Sequence, residues 1–394
     1  MAIRGLFCIG SLSLAAYACS GDSVPNNPQG SGNVASVVVD NGPSGAGGSA
    51  NVPFVDVTLC SPGTSHCQTI DHVSVDTGSS GLRVLASVLT GVTLPAVNAS
   101  NSNPLAECFS FIDGYVWGSV LHADVKVGGE VAQNIPIQLI GDSAIANVPS
   151  DCASTGSSED TLMTFGSNGL IGLNQIIPDC GSYCAGNGTM AGYYSCTGGT
   201  CSNVAVPIAN QISNPAAFFA QDDNGAILQF GTVPATGAPT LAGQLVFGIG
   251  TQANNALGSA RVLTVDKQNG FFTTTFNGAT FPTSFTDSGT NALAFNDSSI
   301  PGCTMNQGFD CPMSASNLMA TNTGRNDAST TVPFTVESAD TLFATSNTAF
   351  DDLATPGVDD MTFDWGFPFF IGRSVFMAWD GKSTPGGTGP YVAY

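Results

Sequence analysis

The residues best suited to chemistry in this sequence are two aspartates in matching contexts. The order Asp, hydroxyl, Gly, hydroxyl, small polar, small, Leu occurs twice, in Asp76-Thr77-Gly78-Ser79-Ser80-Gly81-Leu82 and in Asp287-Ser288-Gly289-Thr290-Asn291-Ala292-Leu293. Each copy follows a strand-like run, and two apolar residues with a glycine come later, in Leu170-Ile171-Gly172 and Phe370-Ile371-Gly372. A single Asp-[Ser/Thr]-Gly is typical of an ordinary turn. The paired pattern indicates internal duplication with approximate two-fold symmetry.

Two carboxyl groups held close together can activate water without a metal or a covalent nucleophile. Carboxyls about 3 Å apart do not both ionise, so they share a proton. The ionised member takes a proton from the attacking water, and the protonated member donates to the substrate carbonyl. If folding brings Asp76 and Asp287 together, the pair could therefore support hydrolysis with no cofactor.

Other chemistries have weaker signals. The three histidines, His66, His72 and His122, do not cluster at metal-ligand spacing, so no metal is expected. No Gly-x-Ser-x-Gly elbow and no phosphate-loop motif occurs. The chain has 29 acidic and 8 basic residues, a net charge of −21, which argues against a nucleic-acid partner. Such a charge serves solubility, and it also suits an acidic medium, where carboxylates lose their charge.

The composition predicts an all-β protein. The 394 residues include 48 glycines and 22 prolines, only 9% are charged, and no segment shows a sustained helical stripe. Strands are expected at 34–39, 52–59, 68–75, 169–173, 226–230 and 244–249. Asp113-Gly114 between apolar runs predicts a hairpin. A short helix is expected at 207–220.

The N-terminus is typical of an exported protein. Residues 1–18 read as a signal peptide, with Arg4 before a short apolar run, and residues 19–50 as a flexible tether containing one short strand. The segment Ala16-Tyr17-Ala18-Cys19-Ser20 fits cleavage after Ala18, and it also fits a lipobox with Cys19 as the lipidated residue. No later segment is long and apolar enough to span a bilayer.

The cysteine count favours lipidation. Of 12 cysteines, Cys8 leaves with the signal, and lipidation of Cys19 leaves ten, which can form five bridges in an oxidising compartment. The expected location is outside the cytoplasm, either anchored in the outer membrane or free in the periplasm or medium. Cys60–Cys67 and Cys303–Cys311 are expected as local bridges. The pairing of the others stays open: Cys108, Cys152, Cys180, Cys184, Cys196 and Cys201.

The two motifs resemble the first and second active-site motifs of pepsin-like aspartic peptidases. The segments 111–129, 369–376 and 389–393 resemble the family's flap hairpin, closing strand and C-terminus, so the resemblance covers about residues 50–394. It extends to a bacterial lipoprotein branch of that superfamily. It implies a bilobal fold with a cleft between an N-terminal lobe (51–220) and a C-terminal lobe (221–394). Since both motifs lie in one chain, a monomer is expected.

The resemblance also implies roles for the residues around each aspartate. Ser79 and Thr290 correspond to residues that hydrogen-bond the outer carboxyl oxygens, and Thr77 and Ser288 to hydroxyls that tie the two loops together. Gly78 and Gly289 let the loops approach.

The flap departs from the family pattern. The family has a flap Tyr whose hydroxyl bonds a Trp shortly after the first motif, and here Phe111 and Arg83 stand near those positions. A Phe cannot donate that bond. Tyr115 or Trp117 could take over the role, or both could serve packing.

Three functions remain open at this stage. The leading one is an aspartic endopeptidase that is exported, lipid-anchored and acts on protein or peptide in the cleft. The alternative is an inactive surface lipoprotein of the same fold that binds peptide or glycan. The third is an unrelated β-rich adhesin with two coincidental turns. Membrane contact is expected only through the N-terminal lipid.

Overall fold

The computed structural model describes residues 32–186 and 192–394, and in these ranges the protein is all-β. The predicted signal peptide, Cys8 and Cys19 lie outside the described residues. The first fourteen strands follow one another in the chain as β1 (Val34–Val39), β2 (Pro53–Cys60), β3 (Cys67–Asp76), β4 (Ser80–Leu85), β5 (Leu105–Ser110), β6 (Gly114–Val127), β7 (Glu130–Ile140), β8 (Ser157–Ser158), β9 (Gly169–Leu173), β10 (Tyr193–Thr197), β11 (Thr200–Asn203), β12 (Gly225–Phe230), β13 (Leu241–Phe247) and β14 (Val262–Thr264).

The later strands belong to three different sheets. They are β15 (Phe272–Phe276), β16 (Ala279–Thr286), β17 (Leu293–Ala294), β18 (Ser316–Thr323), β19 (Ser329–Val336), β20 (Ala354–Thr355), β21 (Asp364–Trp365), β22 (Ser374–Ala378), β23 (Ser383–Thr384), β24 (Gly387–Thr388) and β25 (Tyr391–Ala393).

Helices are few and short in the described residues. The α-helices have four residues each: α1 (Ser150–Ala153), α2 (Leu162–Phe165), α3 (Ser182–Ala185) and α4 (Ala339–Leu342). Single 3₁₀ turns occur at Ser143–Ile145, Ile208–Asn210, Pro215–Phe218 and Phe367–Phe370.

The larger sheet has sixteen strands and contains a closed ring. Its order is β11-β10-β5-β6-β7-β4-β9-β3-β2-β1-β13-β12-β22-β25-β14, with β8 joined to β6. A further pairing between β2 and β6 closes β2, β3, β9, β4, β7 and β6 into a barrel-like ring. The side chains that face its interior are aliphatic, among them Val57, Val75, Val84, Val125 and Ile171, all at most 2% exposed. Ring closure leaves these strands without free edges.

The smaller sheet has seven strands in the order β19-β18-β15-β16-β21-β17-β20, and its core is aromatic. Phe363 stacks on Trp365 with ring centroids 4.4 Å apart and on Phe295 at 4.6 Å. Phe276 and Phe334 pack edge-on against this stack. These large rings fill the space behind the second aspartate motif.

The predicted strand at 34–39 is confirmed, but the tether that was expected to contain it is not. All six residues of β1 pair antiparallel with β13, from Val34↔Val246 to Val39↔Leu241. Further along, the fully buried Asn51 donates from Nδ2 to the carbonyls of Asn291 and Phe350. The part of the expected tether at 34–39 is thus built into the sheet, because alternate side chains of β1 are buried against its core.

Three other expectations need correction. The helix expected at 207–220 is replaced by two 3₁₀ turns, because Pro215 interrupts the segment. The closing strand expected over 369–376 begins only at Ser374, after a 3₁₀ turn. The boundary placed after residue 220 does not separate the sheets, since β12, β13, β14, β22 and β25 all continue the larger one.

The cysteines of the described residues form five disulfides. The two predicted bridges, Cys60–Cys67 and Cys303–Cys311, are both confirmed. The other three join Cys108–Cys152, Cys180–Cys184 and Cys196–Cys201. Five bridges and a β-rich fold are consistent with an exported protein. Among the described residues, no helix has the length and apolar character needed to cross a membrane.

Candidate active site

The two aspartate motifs are presented by the same arrangement of strands. In the first half, β3 runs parallel to β9, which pairs antiparallel with β4, which in turn runs parallel to β7. In the second half β16, β21, β17 and β20 repeat this order and these directions. The residue before each aspartate has an equivalent partner, with Val75 opposite Ile171 and Thr286 opposite Trp365. Asp76 and Asp287 therefore occupy equivalent positions.

This register corrects the apolar-apolar-Gly match proposed for the second half. The structural equivalent of Leu170-Ile171-Gly172 is Asp364-Trp365-Gly366, because Leu170 lies opposite Arg83 as Asp364 lies opposite Ala294. Phe370-Ile371-Gly372 instead lies at the end of a 3₁₀ turn. The two equivalent glycines are both in close contact with the motif backbone. A Cβ added to Gly172 would lie 2.7 Å from the Ser79 carbonyl oxygen, and a Cβ added to Gly366 would lie 2.7 Å from the Thr290 carbonyl oxygen.

The carboxyl groups of Asp76 and Asp287 meet between the two motifs. A Cβ placed on Gly78 would lie 2.6 Å from Cγ of Asp287, and one placed on Gly289 would lie 2.7 Å from Oδ1 of Asp76. The two carboxyl side chains are within hydrogen-bonding reach of each other. Each glycine thus makes room for the carboxyl group of the opposite motif, and no other residue type fits there without moving it.

Each carboxyl group is held by equivalent donors. Oδ1 of Asp76 accepts from the Gly78 N–H at 2.7 Å, and Oδ1 of Asp287 accepts from the Gly289 N–H at 2.7 Å. The hydroxyl of Ser79 donates to Oδ2 of Asp76, and that of Thr290 donates to Oδ2 of Asp287 at 2.9 Å. Asp76 accepts one bond more, from the Ser79 N–H at 3.3 Å. These donors fix the orientation of both carboxyl planes.

Crossed hydroxyl bonds lock the two loops together. Thr77 accepts at Oγ1 from the Ser288 N–H (2.9 Å) and donates to the Thr286 carbonyl (3.1 Å). Ser288 accepts at Oγ from the Thr77 N–H (3.2 Å) and donates to the Val75 carbonyl (2.6 Å). Both side chains are buried, so these bonds are shielded from water.

The electrostatics of the pair are those of a shared proton. Burial raises the pKa of Asp287 well above its usual range, and the neighbouring carboxyls of Asp76 and Asp364 raise it further, against the lowering effect of the Gly289 N–H. Asp76 is 5% exposed, while Asp287 keeps part of its surface open to solvent. We therefore expect the two carboxyls to hold one proton between them, with pKa values that belong to the pair.

Comparison with protein families places the chain in one of them. The family described as "Protein of unknown function (DUF3443)" matches residues 29–394. The chain belongs to this family. No curated protein matches it.

In this DUF3443 protein the hairpin of β5 and β6 forms as predicted, but its aromatic residues pack inwards. The Trp117 indole donates to the Ile145 carbonyl at 2.7 Å and packs edge-on against Tyr194. Tyr115 is buried in the same cluster. Phe111 contacts Phe109 and Phe165. Packing roles are thus observed for Tyr115 and Trp117. Ile112, at 80% exposed, projects from the turn instead.

Arg83 forms a buried charge network between the first motif and this hairpin. Its guanidinium donates to Glu107 on β5 at 3.0 Å, to Asp179 at 3.1 Å and to the Ser80 carbonyl at 2.7 Å. It also lies 3.7 Å from the ring centroid of Phe109. Burial and the neighbouring Glu107 raise the pKa of Asp179, which Arg83 and Tyr193 counteract. The sequence comparison named Arg83 as the residue near the family's Trp position, but it did not identify Glu107 and Asp179 as its partners.

A third carboxyl group at the site, that of Asp364, was missed by sequence reasoning. The sequence pattern was defined by two apolar residues before a glycine, and Asp364 stands at the first of those positions. The sequence does contain a matching segment, Asp364-Trp365-Gly366, whose glycine lies 366 − 287 = 79 residues after Asp287. In the first half, Gly172 lies 172 − 76 = 96 residues after Asp76.

One group of possible metal ligands exists in the described residues. Cys303, Cys311 and Asp340 have ligand atoms within 4.8 Å of one another. The two cysteines are joined in a disulfide, so they offer no thiolate.

Proposed function

We propose that this protein is an aspartic endopeptidase with the bilobal architecture of the pepsin-like family. The observation that carries the proposal is the meeting of Asp76 and Asp287, each held by one backbone N–H and one hydroxyl in equivalent positions. An accidental pair of turns has no reason to share donors, strand register and close-approach glycines. The adhesin hypothesis predicts aspartates far apart, so this geometry counts against it.

In the proposed reaction Asp76 and Asp287 share one proton, so that one carboxyl is ionised and the other is protonated. A water molecule between them loses a proton to the ionised carboxyl and attacks the peptide carbonyl, while the protonated carboxyl donates to the carbonyl oxygen, which gives a neutral tetrahedral diol. The carboxyl that took the proton from water then donates it to the leaving nitrogen, the C–N bond breaks, and a diol hydroxyl returns its proton to the other carboxylate. The crossed bonds of Thr77 and Ser288 hold both groups in place, which reduces reorganisation during the reaction.

The bilobal arrangement is proposed from the repetition of strands. The ring built around β3 forms one lobe and the seven-stranded sheet the other, with β1, β12, β13, β22 and β25 as a platform that joins them. Substrate would lie between the lobes, beneath the hairpin of β5 and β6. Export with a lipid on Cys19 completes the proposal. Retention of a Cys19→Ser variant in membranes at the wild-type level would contradict that anchor.

Peptidase activity is tested on a denatured protein and on internally quenched peptides across acidic pH. We expect turnover by the wild type and a loss of about 10³-fold or more in Asp76→Ala and in Asp287→Ala, because each removes one half of the acid–base pair. Asp352→Asn is the matched control, since Asp352 is a buried carboxyl whose charged neighbours are Asp351 and Glu337. Turnover that persists in Asp76→Ala would refute the proposal.

A second candidate function is peptide binding without cleavage. The observation that favours it is the packing of the hairpin's aromatic residues, since Phe111 contacts Phe109 and Phe165 and Tyr115 is buried. Under this hypothesis a bound peptide stays intact for hours, and its affinity is the same in Asp287→Ala. Cleavage of that peptide by the wild type would exclude it.

A further inference from the structure

Asn174 is an asparagine whose side chain reaches the backbone of the first aspartate motif. It follows directly after β9, the strand that runs beside the motif. Its Nδ2 donates to the Thr77 carbonyl at 3.3 Å and to the Gly78 carbonyl at 3.1 Å. Its own backbone N–H donates to the Ser79 carbonyl at 2.9 Å. One residue therefore bonds three successive carbonyls of the loop that carries Asp76.

Two of these carbonyls belong to the peptide units that hold the Asp76 carboxyl group. The Thr77 carbonyl and the Gly78 N–H are the two ends of one planar peptide unit, and that N–H donates to Oδ1 of Asp76 at 2.7 Å. The Gly78 carbonyl and the Ser79 N–H form the next unit, and its N–H donates to the same oxygen at 3.3 Å. The amide of Asn174 thus binds the carbonyl end of both units whose N–H ends bind Asp76.

A donor at the carbonyl end of a peptide unit affects the bond made at its N–H end. It polarises the unit, so the N–H becomes a stronger donor, and it restricts the rotation of the unit. N–H donors bind an ionised carboxylate more strongly than a neutral carboxyl. The Asn174 amide therefore strengthens the hold on Asp76 most when that carboxyl is ionised.

The second motif lacks this support. Its Gly289 N–H binds Oδ1 of Asp287, but no donor among the described residues bonds the Ser288 or Gly289 carbonyl. Two residues after the equivalent glycine, Gly366, stands Pro368, which offers neither an N–H nor a side-chain donor. The support is thus a property of the first motif and not a general requirement of the strand arrangement.

Asn174 is itself fixed in the orientation that this role needs. The Ile176 N–H donates to its Oδ1 at 2.8 Å, which directs Nδ2 toward the motif. The fully buried Asn214 donates from Nδ2 to the Asn174 carbonyl at 3.0 Å. Because both its side chain and its backbone are anchored, the Asn174 amide is preorganised to bind the motif.

We propose that Asn174 is a positioning residue of the site, whose side-chain amide supports both backbone N–H donors of Asp76 through their peptide units. It bonds the motif backbone, so it acts on the carboxyl through Gly78 and Ser79. The kinetic consequence rests on the proposed peptidase function, but the effect on the Gly78 N–H does not.

Two substitutions separate the amide donor from the turn that Asn174 makes. Asn174→Ser keeps an oxygen that accepts from the Ile176 N–H, but its hydroxyl is too short to reach the motif carbonyls. Asn174→Ala removes both bonds. Asn224→Ala is the matched control, because Asn224 makes the same pattern elsewhere: its Nδ2 donates to the Ile249 and Ser383 carbonyls, and its Oδ1 accepts from the Ile249 N–H.

The pH profile of kcat/KM distinguishes this role from a merely structural one. Weaker N–H bonds favour the ionised carboxyl less, so the acid limb should move to higher pH in both Asn174 variants, by about half a pH unit, which is about a threefold loss of rate on that limb. The titratable groups of the site, Asp76, Asp287 and Asp364, are the same in every variant. Asn224→Ala should keep the wild-type limb while its melting temperature falls.

An NMR measurement tests the support without any need for activity. In protein labelled with ¹⁵N-glycine, the Gly78 amide is identified by its absence from Gly78→Ala, and the Gly289 amide by its absence from Gly289→Ala. We expect the Gly78 amide proton to move upfield in both Asn174 variants, because its hydrogen bond weakens, and to move further than the Gly289 amide proton.

The two measurements separate failure of this proposal from failure of the peptidase function. A Gly78 amide that moves in a protein without any turnover would refute the peptidase function and support the role of Asn174. An unchanged Gly78 amide in a folded Asn174→Ser would overturn the proposal. A displacement of the acid limb in Asn224→Ala equal to that in the Asn174 variants would overturn it as well.

Discussion

The close approach of the two carboxyl groups is best tested by adding one methyl group at Gly78. A Cβ there would lie 2.6 Å from both Cγ and Oδ2 of Asp287. Ordinary contacts between such atoms are about 3.5 Å, so the Asp287 carboxyl would have to retreat by about 1 Å. Gly78 is outside the left-handed region of backbone conformation, so alanine adopts its backbone without strain. The perturbation therefore acts on the carboxyl pair rather than on the loop.

The expected cost follows from that displacement. A shift of about 1 Å in a reacting group costs on the order of 100-fold in rate, which corresponds to about 2.7 kcal/mol of transition-state stabilisation. The loss should fall mainly on kcat, because peptide binding along the cleft does not depend on the distance between the two acids. Gly289→Ala should behave in the same way, since its Cβ would lie 2.7 Å from Oδ1 of Asp76.

The assay is steady-state cleavage of a quenched peptide by Gly78→Ala, Gly289→Ala and a matched control. Gly231→Ala is that control, because a Cβ there meets no atom within 4 Å and its backbone is not left-handed. Thermal unfolding checks that all three variants are folded. The reasoning fails if a folded Gly78→Ala retains kcat within about threefold of Gly231→Ala, the range expected of a neutral surface change.

Two further predictions concern stability. Arg83→Leu leaves Glu107 and Asp179 buried without their cation, so the free energy of unfolding should fall by about 3–5 kcal/mol near neutral pH and by less in acid, where the carboxyls are neutral; urea titrations that gave equal losses at both pH values would contradict this. Burial, with Asp351 and Glu337 nearby, raises the pKa of Asp352 from 3.8 to about 7. Protonation of Asp352 therefore stabilises the folded protein in acid, and this contribution to the free energy of unfolding is lost as pH rises toward 7. Between about pH 4 and pH 8, the melting temperature should therefore fall less in Asp352→Asn than in the wild type. An equal fall in the two proteins would count against this interpretation.

The sequence predicted the local features of the site well. Asp and Gly at fixed spacing produce a turn whose own N–H groups bind its carboxylate, as at Gly78 and Gly289, and the family resemblance implied the hydroxyl bonds of Ser79 and Thr290. The two predicted disulfides, Cys60–Cys67 and Cys303–Cys311, and the Asp113-Gly114 hairpin are local features too.

Features that depend on long-range pairing could not be predicted in this way. Nothing in the residues of β1 specifies β13 as a partner about two hundred positions away. The partners of Arg83 are similarly distant, since Asp179 lies 96 residues further along the chain. Asp364 was missed because hydrophobicity alone was taken to mark the strand beside the second motif.

The comparison between the two halves shows where symmetry is required and where it is not. Equivalent glycines are kept wherever one backbone approaches another group closely, at Gly78 and Gly289 and at Gly172 and Gly366. Side chains one layer further out differ: Leu170 corresponds to Asp364, and the buried cation Arg83 corresponds to Ala294. Arg83 is paired with the two carboxyls of Glu107 and Asp179, so its network carries no net positive charge, whereas the corresponding layer of the second half contains the acid Asp364. Water activation by a carboxyl pair needs one base and one acid. Two adjacent carboxyls meet that need even on a symmetric backbone, because they do not both ionise and therefore share one proton.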